Sequence, residues 1–420
     1  MIALSHPTGN SFVRAAAAGL TEVDLLSAFY TTVAEFEGSS MAALSSLPGL
    51  GSLRRRRYPS ELRSITETHP LREIGRLAAV HTGVRSLIAT EDAALSVDAV
   101  YASLDRWVAS KVRARANQGL RGVYAYEDGA SATFRAAKRS GLACFYDLPI
   151  GYWRAAQASY REQRERWPQY AATLSGINDS AEKLARKDTE LELADRVIVA
   201  SSFTAATLRN YPGQLPEVSL VPYAFPPAGP ERAYEFDPSA RRLKLLFVGG
   251  LSQRKGIGEL FAAADRLGDA VELTVVGRVG GGVECPALTI ELRKHHYIDS
   301  APHEEILRLM RSHDALVFPS TFEGFGLVIT EAMSQGTPVI TTACTAGPDL
   351  IRDGEDGILI PANDVDALVQ AVDGLLSSPE RLATLGEAAR HTSSKRDWWS
   401  YGADVAEVVG DHLRAHRRWA

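Results

Sequence analysis

The second half of the chain alternates short apolar runs with amphipathic segments. Short, mainly apolar runs, most of which stop at glycine or proline, are typical of buried parallel strands. The predicted strands are LKLLFV (243–248), VELTVV (271–276), DALVF (314–318), TPVIT (337–341) and GILIP (357–361). Helical spacing of apolar positions occurs between them, at 257–267, about 303–311, 324–336, 363–376 and 379–390. This alternation predicts a doubly wound parallel α/β sheet.

The first half shows the same alternation of predicted strands and helices, but less regularly. Strands are predicted at 2–5, 122–126, 142–147 and 196–201, and helices at 10–19, 95–117, 130–140, 151–167 and 178–193. A Ser-, Gly- and Leu-rich stretch at 38–60 predicts a loop, and a last helix is expected at about 400–418. The Pro-rich stretch 222–242 predicts a linker. We therefore expect one domain at 1–225, a second at 226–397, and a terminal segment 398–420 that returns to the first domain.

Length and composition support two ordinary domains. The chain has 420 residues, more than the roughly 250–300 that one core accommodates. The net charge of −5 argues against a dedicated nucleic-acid binder, although residues 1–235 carry +2 and residues 236–420 carry −7. Three scattered cysteines, no long apolar run and no leader pattern predict a reduced, cytoplasmic protein.

The segment FPSTFEGFGLVITEAMSQGTPVITT (318–342) carries the clearest chemistry. Glu323 precedes a predicted helix and Glu331 lies inside it, while Gly324 and Gly326 allow a close backbone approach to a ligand. Free N–H groups and the dipole at a helix start attract an anion, such as a diphosphate. The alternative from spacing alone is an ordinary helix start with two solvated acids.

This segment resembles the donor-site motif of glycosyltransferase family 4, the retaining, nucleotide-sugar-dependent enzymes of GT-B fold. Further stretches resemble that family in the expected order: ADRVIVASSFT (194–204), FVGGLSQRKGIGELFAAA (247–264), LTVVGR (273–278) and GPDLIRDGEDGILIPANDVDALVQAV (347–372). The resemblance is strong over about 190–390 and weak before it. It implies a GT-B fold, in which two Rossmann-like domains face each other across a cleft.

The resemblance also implies roles for individual residues. Glu323 would hold the hydroxyls of the donor sugar, Glu331 the ribose, and Lys255 the leaving diphosphate, where charge develops during transfer. The family usually has an arginine at the position of Gly250, and Arg254 is the candidate to replace it. The other donor-side residues implied are Gly249, Gly277, Arg278, Tyr297, Ile298, Gly324, Phe325, Gly326 and Leu327.

Candidates in the first half are less specific. Gly9 and Asn10 form a turn after the first strand that would face the donor phosphates, or else a plain helix cap. Asp147 ends a predicted strand, near the position where the family often has a histidine. It would contact the donor sugar or the acceptor. Asp128 is the alternative candidate for this role. The basic run 54–57 is a candidate for contact with an anionic acceptor or an acidic membrane surface, or a solvated loop.

The expected function is transfer of a sugar from a nucleotide-diphosphate sugar to a hydroxyl acceptor bound mainly by residues 1–200. The resemblance implies retention at the anomeric carbon, no obligatory metal and no other cofactor. A nucleotide-sugar epimerase or hydrolase on the same fold, and an inactive sugar-nucleotide-binding partner subunit, are the alternatives. The base, the sugar, the acceptor and the oligomeric state are left open by the sequence.

Overall fold

The computed structural model describes residues 1–39, 56–174, 179–232, 234, 242–280, 283–378 and 380–416. The chain forms two parallel sheets. The first contains β1 Ile2–Ser5, β2 Leu26–Thr31, β3 Thr66–Thr68, β4 Gly122–Tyr126, β5 Ala143–Leu148, β6 Arg196–Val199 and β7 Glu217–Leu220. The second contains β8 Leu243–Val248, β9 Val271–Val276, β10 His296–Ile298, β11 Ala315–Phe318, β12 Val339–Thr342 and β13 Ile358–Ile360. The expected pair of α/β sheets is confirmed.

Each sheet reverses its strand order once. The first runs β3-β2-β1-β4-β5-β6-β7, and the second runs β10-β9-β8-β11-β12-β13. The reversals lie between β1 and β4 and between β8 and β11, where the connecting helices leave on opposite faces. The loops after these strands therefore open a crevice, the usual ligand position in an open α/β sheet.

Helices cover both faces of each sheet. In the first half they are α1 Ser11–Glu22, α2 Leu71–Thr82, α3 Val97–Ala116, α4 Ser131–Arg139, α5 Trp153–Arg166, α6 Ala181–Leu193 and α7 Ser202–Thr207. In the second half they are α8 Ile257–Leu267, α9 Pro286–Leu292, α10 His303–Ser312, α11 Leu327–Ser334, α12 Gly347–Leu350, α13 Val365–Ser377, α14 Glu380–Ser393 and α15 Trp398–Ala415. No helix in the described parts of the chain is long and apolar enough to cross a bilayer.

Several elements were not expected from the sequence. The strands β2, β3, β7 and β10 and the helices α2, α7, α9 and α12 are additional. Strand β3 is the polar triplet Thr-Glu-Thr at a sheet edge, where only the ladder of backbone hydrogen bonds defines it. The helix expected to begin at Gly324 begins at Leu327, because Gly326 has a left-handed φ of 88°. Most of the loop expected at 38–60 and part of the linker expected at 222–242 lie outside the described residues.

The last helix packs on the first. Backbones of α1 and α15 meet at Gly19 and Gly402, where a Cβ on Gly402 would lie 3.2 Å from the carbonyl carbon of Ala15. Trp398 packs against the ring of Tyr223, while Trp399 is exposed and its Nε1 donates to Glu22 of α1 at 2.9 Å. The C-terminal helix thus joins the second half of the chain to the first sheet.

The carboxyl edges of the two sheets also meet. Trp167 Nε1, from the first half, donates to the buried Glu259 carboxylate of α8 at 2.6 Å. Gln253 Nε2 donates to Gln163 Oε1 at 3.0 Å, and Ser252 Oγ donates to the carbonyl of Thr173 at 2.8 Å. The loops after β8 therefore lie directly against residues 163–174.

Candidate functional site

The predicted catalytic carboxylate and the two predicted cations lie together. Lys255 Nζ forms an ion pair with Glu323, and Arg254 Nη1 lies 3.2 Å from the same carboxylate oxygen. Arg254 Nη1 also donates to the carbonyl of Phe322 at 2.7 Å. The side chains of Glu323 and Lys255 are mostly shielded from solvent. One carboxylate thus balances two cations at the carboxyl edge of the second sheet.

Local backbone contacts hold this group in place. The carbonyl of Arg254 accepts from the Thr321 amide at 2.9 Å and from the Ser320 and Thr321 hydroxyls at 3.1 Å each. Gly256 follows with a φ of 72°, and a Cβ there would overlap the carbonyl oxygen of Pro319. The loop after β8 can approach the loop after β11 this closely because position 256 is glycine.

The two cations are held in a desolvated setting. Burial lowers the pKa of Lys255 well below its ordinary value, and the neighbouring Arg254 lowers it further. Burial also lowers the pKa of Arg254. Both groups favour a nearby negative charge, which Glu323 supplies in this structure. An incoming anion would be attracted to the same place for the same reason.

The turn from Gly324 to Leu327 presents a helix start to the crevice. The first N–H groups of α11 have no partner within the helix, and the helix dipole favours an anion beside them. Gly324 also contacts the first half of the chain, since a Cβ there would lie 2.7 Å from the Cα of Ile150 and overlap the carbonyl of Pro149. Its own carbonyl accepts from Ser201 Oγ and, at 2.9 Å, from Thr204 Oγ1.

Glu331 lies on α11, inside the helix as the sequence predicts. Its side chain is partly buried, and burial raises its pKa to about 7. His303 Nδ1 lies 3.7 Å from Glu331 Oε1. A carboxylate in this position can accept hydrogen bonds from a hydroxylated ligand at the side of the helix, and the ribose role stays a prediction.

The remaining donor-side residues are at the ends of β8, β9 and β10. The Gly249 amide donates to the carbonyl of Val276, and the Gly277 amide donates to the carbonyl of Ile298, both at 3.0 Å. Gly250 is exposed beside the carbonyl of Arg278. These three strand ends therefore form one continuous rim.

Two side chains project from this rim. Arg278 is exposed and its Nε donates to Asp299 at 2.7 Å, while the Tyr297 hydroxyl donates to the carbonyl of Gly277 at 3.1 Å. Tyr297 also lines an apolar hollow of about 700 Å³ with Val279 and Leu288. The side chains predicted for the nucleobase side therefore lie on an exposed part of the rim, and one of them borders an apolar hollow.

The predicted turn at Gly9 and Asn10 stands at the start of α1. Gly9 is buried and its carbonyl accepts from Arg14, whereas Asn10 is exposed and its side chain makes no capping hydrogen bond. Phe12, two residues on, stacks on Tyr223 with ring centroids 4.9 Å apart, and Tyr223 lies 4.9 Å from Phe325. These successive ring contacts place the Gly9 turn close to residues 318–342, which we call the donor segment.

Asp147 does not reach the crevice surface. It is 2% exposed, and Tyr124 Oη donates to its Oδ2 at 2.6 Å. Burial raises the pKa of Asp147 to about 7. The buried hydroxyls of Tyr126, Tyr223 and Tyr401 have no hydrogen-bond partner among the described residues. Asp147 therefore lies in a buried group of tyrosines and accepts a hydrogen bond from one of them. In this structure it is not at the surface where the donor sugar or the acceptor was predicted to bind.

Asp128 lies in a network of charged side chains after β4. It is 3.2 Å from Arg186 and 3.7 Å from Lys187, and Lys187 is also 3.2 Å from the buried Glu127. Burial raises the pKa of Glu127 to about 7. Glu190 accepts from the amides of Asp128, Ala130 and Ser131, so a carboxylate already occupies the start of α4.

The basic run is only partly described, since residues 54 and 55 lie outside the described ranges. Arg56 is buried, pairs with Glu73, and donates to the carbonyl of Pro7 at 2.7 Å. Arg57 pairs with Glu35 at 2.7 Å. Both described arginines therefore bind within the protein.

Residues from the first half that contact the donor segment were not expected. Ser201 and Thr204 hold the Gly324 carbonyl, and Tyr160 packs edge-to-face on Phe322, with ring centroids 5.9 Å apart. The hydroxyls of SSFT directly follow β6, which is the kind of strand end where ligands and contacts gather. The sequence around Tyr160 does not predict this contact, because helical spacing shows only that a ring is buried and not which residue it contacts.

Comparisons with known proteins agree with this geometry. Residues 235–392 match the family described as glycosyl transferases group 1. A D-inositol 3-phosphate glycosyltransferase from Mycobacterium sp. (strain KMS) is 30% identical over 312 residues, covering 64% of this chain and 70% of that protein. A glycogen synthase from Mycobacterium tuberculosis is 32% identical over 188 residues, but the alignment covers only 43% of this chain and 45% of that relative.

Solved structures share the fold over nearly the whole chain. A sucrose-phosphate synthase from Thermosynechococcus elongatus has a TM-score of 0.65 at 18% identity, covering 100% of this chain and 99% of that one. Anabaena HepE, determined in complex with UDP-glucose, has a TM-score of 0.60 at 16% identity, covering 98% of this chain and 99% of that one. The expected GT-B fold is confirmed.

Proposed function

Because the chain belongs to the group 1 glycosyl transferases, we propose that it is a retaining, family-4 enzyme that moves a sugar from a nucleotide-diphosphate sugar to a hydroxyl acceptor. The shared ion pair of Glu323 with Lys255 and Arg254 carries this proposal. It joins the predicted sugar-binding acid and the predicted phosphate-binding cations in one place. The UDP-glucose complex of the structural neighbour HepE supports a nucleotide sugar as the donor.

In this proposal the diphosphate lies between the start of α11 and the two cations. Lys255 and Arg254 would turn from Glu323 toward the phosphate oxygens and stabilise the charge that builds up on the leaving group. Glu323 would then accept hydrogen bonds from the sugar hydroxyls. Glu331 would hold the ribose, and the base would lie toward Arg278 and Tyr297.

The acceptor side is built by the loops of the first sheet. We propose Asp128 rather than Asp147 as the acid that faces the acceptor, because the Asp147 carboxylate is enclosed by tyrosines whereas Asp128 is partly exposed. The acceptor would enter beside the Gly9 turn. No group of three or more metal-ligating side chains occurs among the described residues, and the proposal includes no metal step.

The decisive experiment is a nucleotide-release assay with purified full-length protein. Nucleotide sugars are first screened by thermal shift, and the one that stabilises the protein is then incubated with and without hydroxyl acceptors. Acceptor-dependent nucleotide release, with the anomeric configuration of the product retained by NMR, is the expected result. Consumption of the donor without an acceptor would instead indicate an epimerase or hydrolase, and binding without turnover would indicate an inactive partner.

A matched pair of variants links the assay to the site. Glu323→Gln keeps the size of the side chain but removes the charge that Lys255 and Arg254 share. We expect turnover to fall by about 100-fold or more while nucleotide binding persists. Glu355→Gln, on an exposed loop of the same half, is the control and should leave both quantities unchanged. Equal turnover of the two variants would contradict the role of Glu323.

A further inference from the structure

The loop that carries Arg254 and Lys255 is held by a residue from the other half of the chain. Gln253, Arg254 and Lys255 form a short 3-10 turn in the loop after β8. The Gln253 amide donates to the hydroxyl of Thr173 at 2.9 Å. Ser252 Oγ donates to the carbonyl of Thr173 at 2.8 Å and accepts from the Arg254 amide at 3.4 Å. Thr173 thus contacts both residues that come directly before the two cations.

Thr173 is itself fixed in this position. It is buried at the end of the 3-10 helix Pro168–Thr173, and its hydroxyl donates to the carbonyl of Tyr170 at 2.7 Å. A threonine hydroxyl has one hydrogen, so its oxygen meets the Gln253 amide as an acceptor. Because Gln253 is also buried, loss of the hydroxyl would leave a buried N–H without its partner, which is costly.

The side chain of Gln253 makes a second connection between the halves. Its Nε2 donates to Gln163 Oε1 at 3.0 Å and to Glu259 Oε2 at 2.9 Å. Its Oε1 accepts from the Gly258 amide at 2.9 Å, and the other oxygen of Glu259 accepts from Trp167 Nε1 at 2.6 Å. Both polar atoms of this buried side chain therefore have partners, and a satisfied network of this kind is rigid.

The backbone of the second half is shaped for this contact. A Cβ at position 258 would lie 2.5 Å from the ring of Trp167, so glycine is needed there for the ring to fit. On the other side of the loop, the Arg254 carbonyl accepts from the Thr321 amide and the Ser320 hydroxyl. The turn with the two cations is therefore fixed between the first half and the donor segment.

We propose that Thr173 is a positioning residue, which sets the place of Arg254 and Lys255 for binding of the donor diphosphate. Donors that are already in place bind a developing charge most strongly, because no rearrangement is needed. A turn released at its start would let both cations follow Glu323 away from the phosphates. The inference rests on the proposed function in one respect, namely that a diphosphate binds at these two cations.

The test is binding of inorganic pyrophosphate to the full-length protein in isothermal titration calorimetry, which requires neither a donor sugar nor an acceptor. Thr173→Val keeps the size of the side chain and removes the hydroxyl, whereas Thr173→Ser keeps the hydroxyl. We expect Thr173→Val to weaken pyrophosphate binding about tenfold, the scale of one lost hydrogen bond. Thr173→Ser should bind within about twofold of the unchanged protein, because its oxygen can still accept from the Gln253 amide.

Thr337→Val is the matched control. Thr337 is fully buried before β12, at the amino edge of the second sheet, and its hydroxyl donates to the carbonyl of Met310 at 2.7 Å. This variant should lower the melting temperature as Thr173→Val does and leave pyrophosphate binding unchanged. If circular dichroism shows that Thr173→Val is unfolded, Gln163→Leu replaces it, because it removes the acceptor of Gln253 Nε2 and should weaken binding in the same way.

The outcomes separate this inference from the proposed function. Unchanged affinity in Thr173→Val would overturn the positioning role, and so would an equal loss in Thr173→Ser or in Thr337→Val. A loss confined to Thr173→Val, in a protein without acceptor-dependent nucleotide release, would support the positioning role and refute the transferase. Absence of pyrophosphate binding by the unchanged protein would refute both.

Discussion

Replacement of Asp147 by asparagine should make the protein more stable at alkaline pH. Burial raises the pKa of this carboxyl from 3.8 to about 7. Between those values the folded protein keeps a proton that the unfolded chain has released, so stability falls as the pH rises and stops falling above about 7. Asparagine has nearly the same shape and no charge, so the variant lacks this loss.

The size of the effect follows from the shift in pKa. Each pKa unit corresponds to about 1.4 kcal/mol, so the unchanged protein should lose about 3 kcal/mol relative to the variant between pH 5 and pH 8. An unfolding entropy of about 2 cal/mol/K per residue converts this to a difference of about 3 °C in melting temperature for a chain of 420 residues.

The assay is differential scanning fluorimetry of both proteins at pH 5 and pH 8. Glu127, Glu190 and Glu331 also have raised pKa values, but they are common to both proteins and cancel in the comparison. Asp269→Asn, at a fully solvated position, is the control and should follow the unchanged protein at both pH values. The reasoning is refuted if the difference in melting temperature between Asp147→Asn and the unchanged protein is the same at pH 5 as at pH 8.

Three further predictions concern the crevice. Lys255→Ala should lower turnover in the nucleotide-release assay by about 100-fold, because the leaving diphosphate loses its cation; a near-normal rate would remove Lys255 from the phosphate site. Glu331→Ala should weaken nucleotide binding by about tenfold in calorimetry, the scale of one hydrogen bond to a charged group, and unchanged affinity would exclude the ribose role. Gly324→Ala should push the two halves apart, because the new methyl group overlaps the carbonyl of Pro149; small-angle scattering should show a larger radius of gyration than for Gly374→Ala, where a Cβ meets only ordinary contacts.

The sequence alone determined the local architecture. Mainly apolar runs such as LKLLFV and VELTVV form strands with the expected bounds, because a strand covered on both faces is apolar at most of its positions. The sequence around 318–342 likewise predicted a strand, a glycine-containing turn and a helix in that order, although the helix begins at Leu327 and not at Gly324. These features depend on neighbours in the chain, and one sequence is enough to reveal them.

Tertiary structure decided which distant groups meet and which way each side chain points. Lys255 and Glu323 are 68 residues apart, and only the pairing of β8 with β11 brings their loops together. Asp147 lies near a strand end as expected, yet β5 is buried on both faces from Cys144 to Leu148, and the Asp147 carboxyl is enclosed together with its neighbours. The helix α2 turns its charged side inward because Arg56 and Arg76 neutralise Glu73 there, and no local pattern could show that a partner 17 residues away would be present.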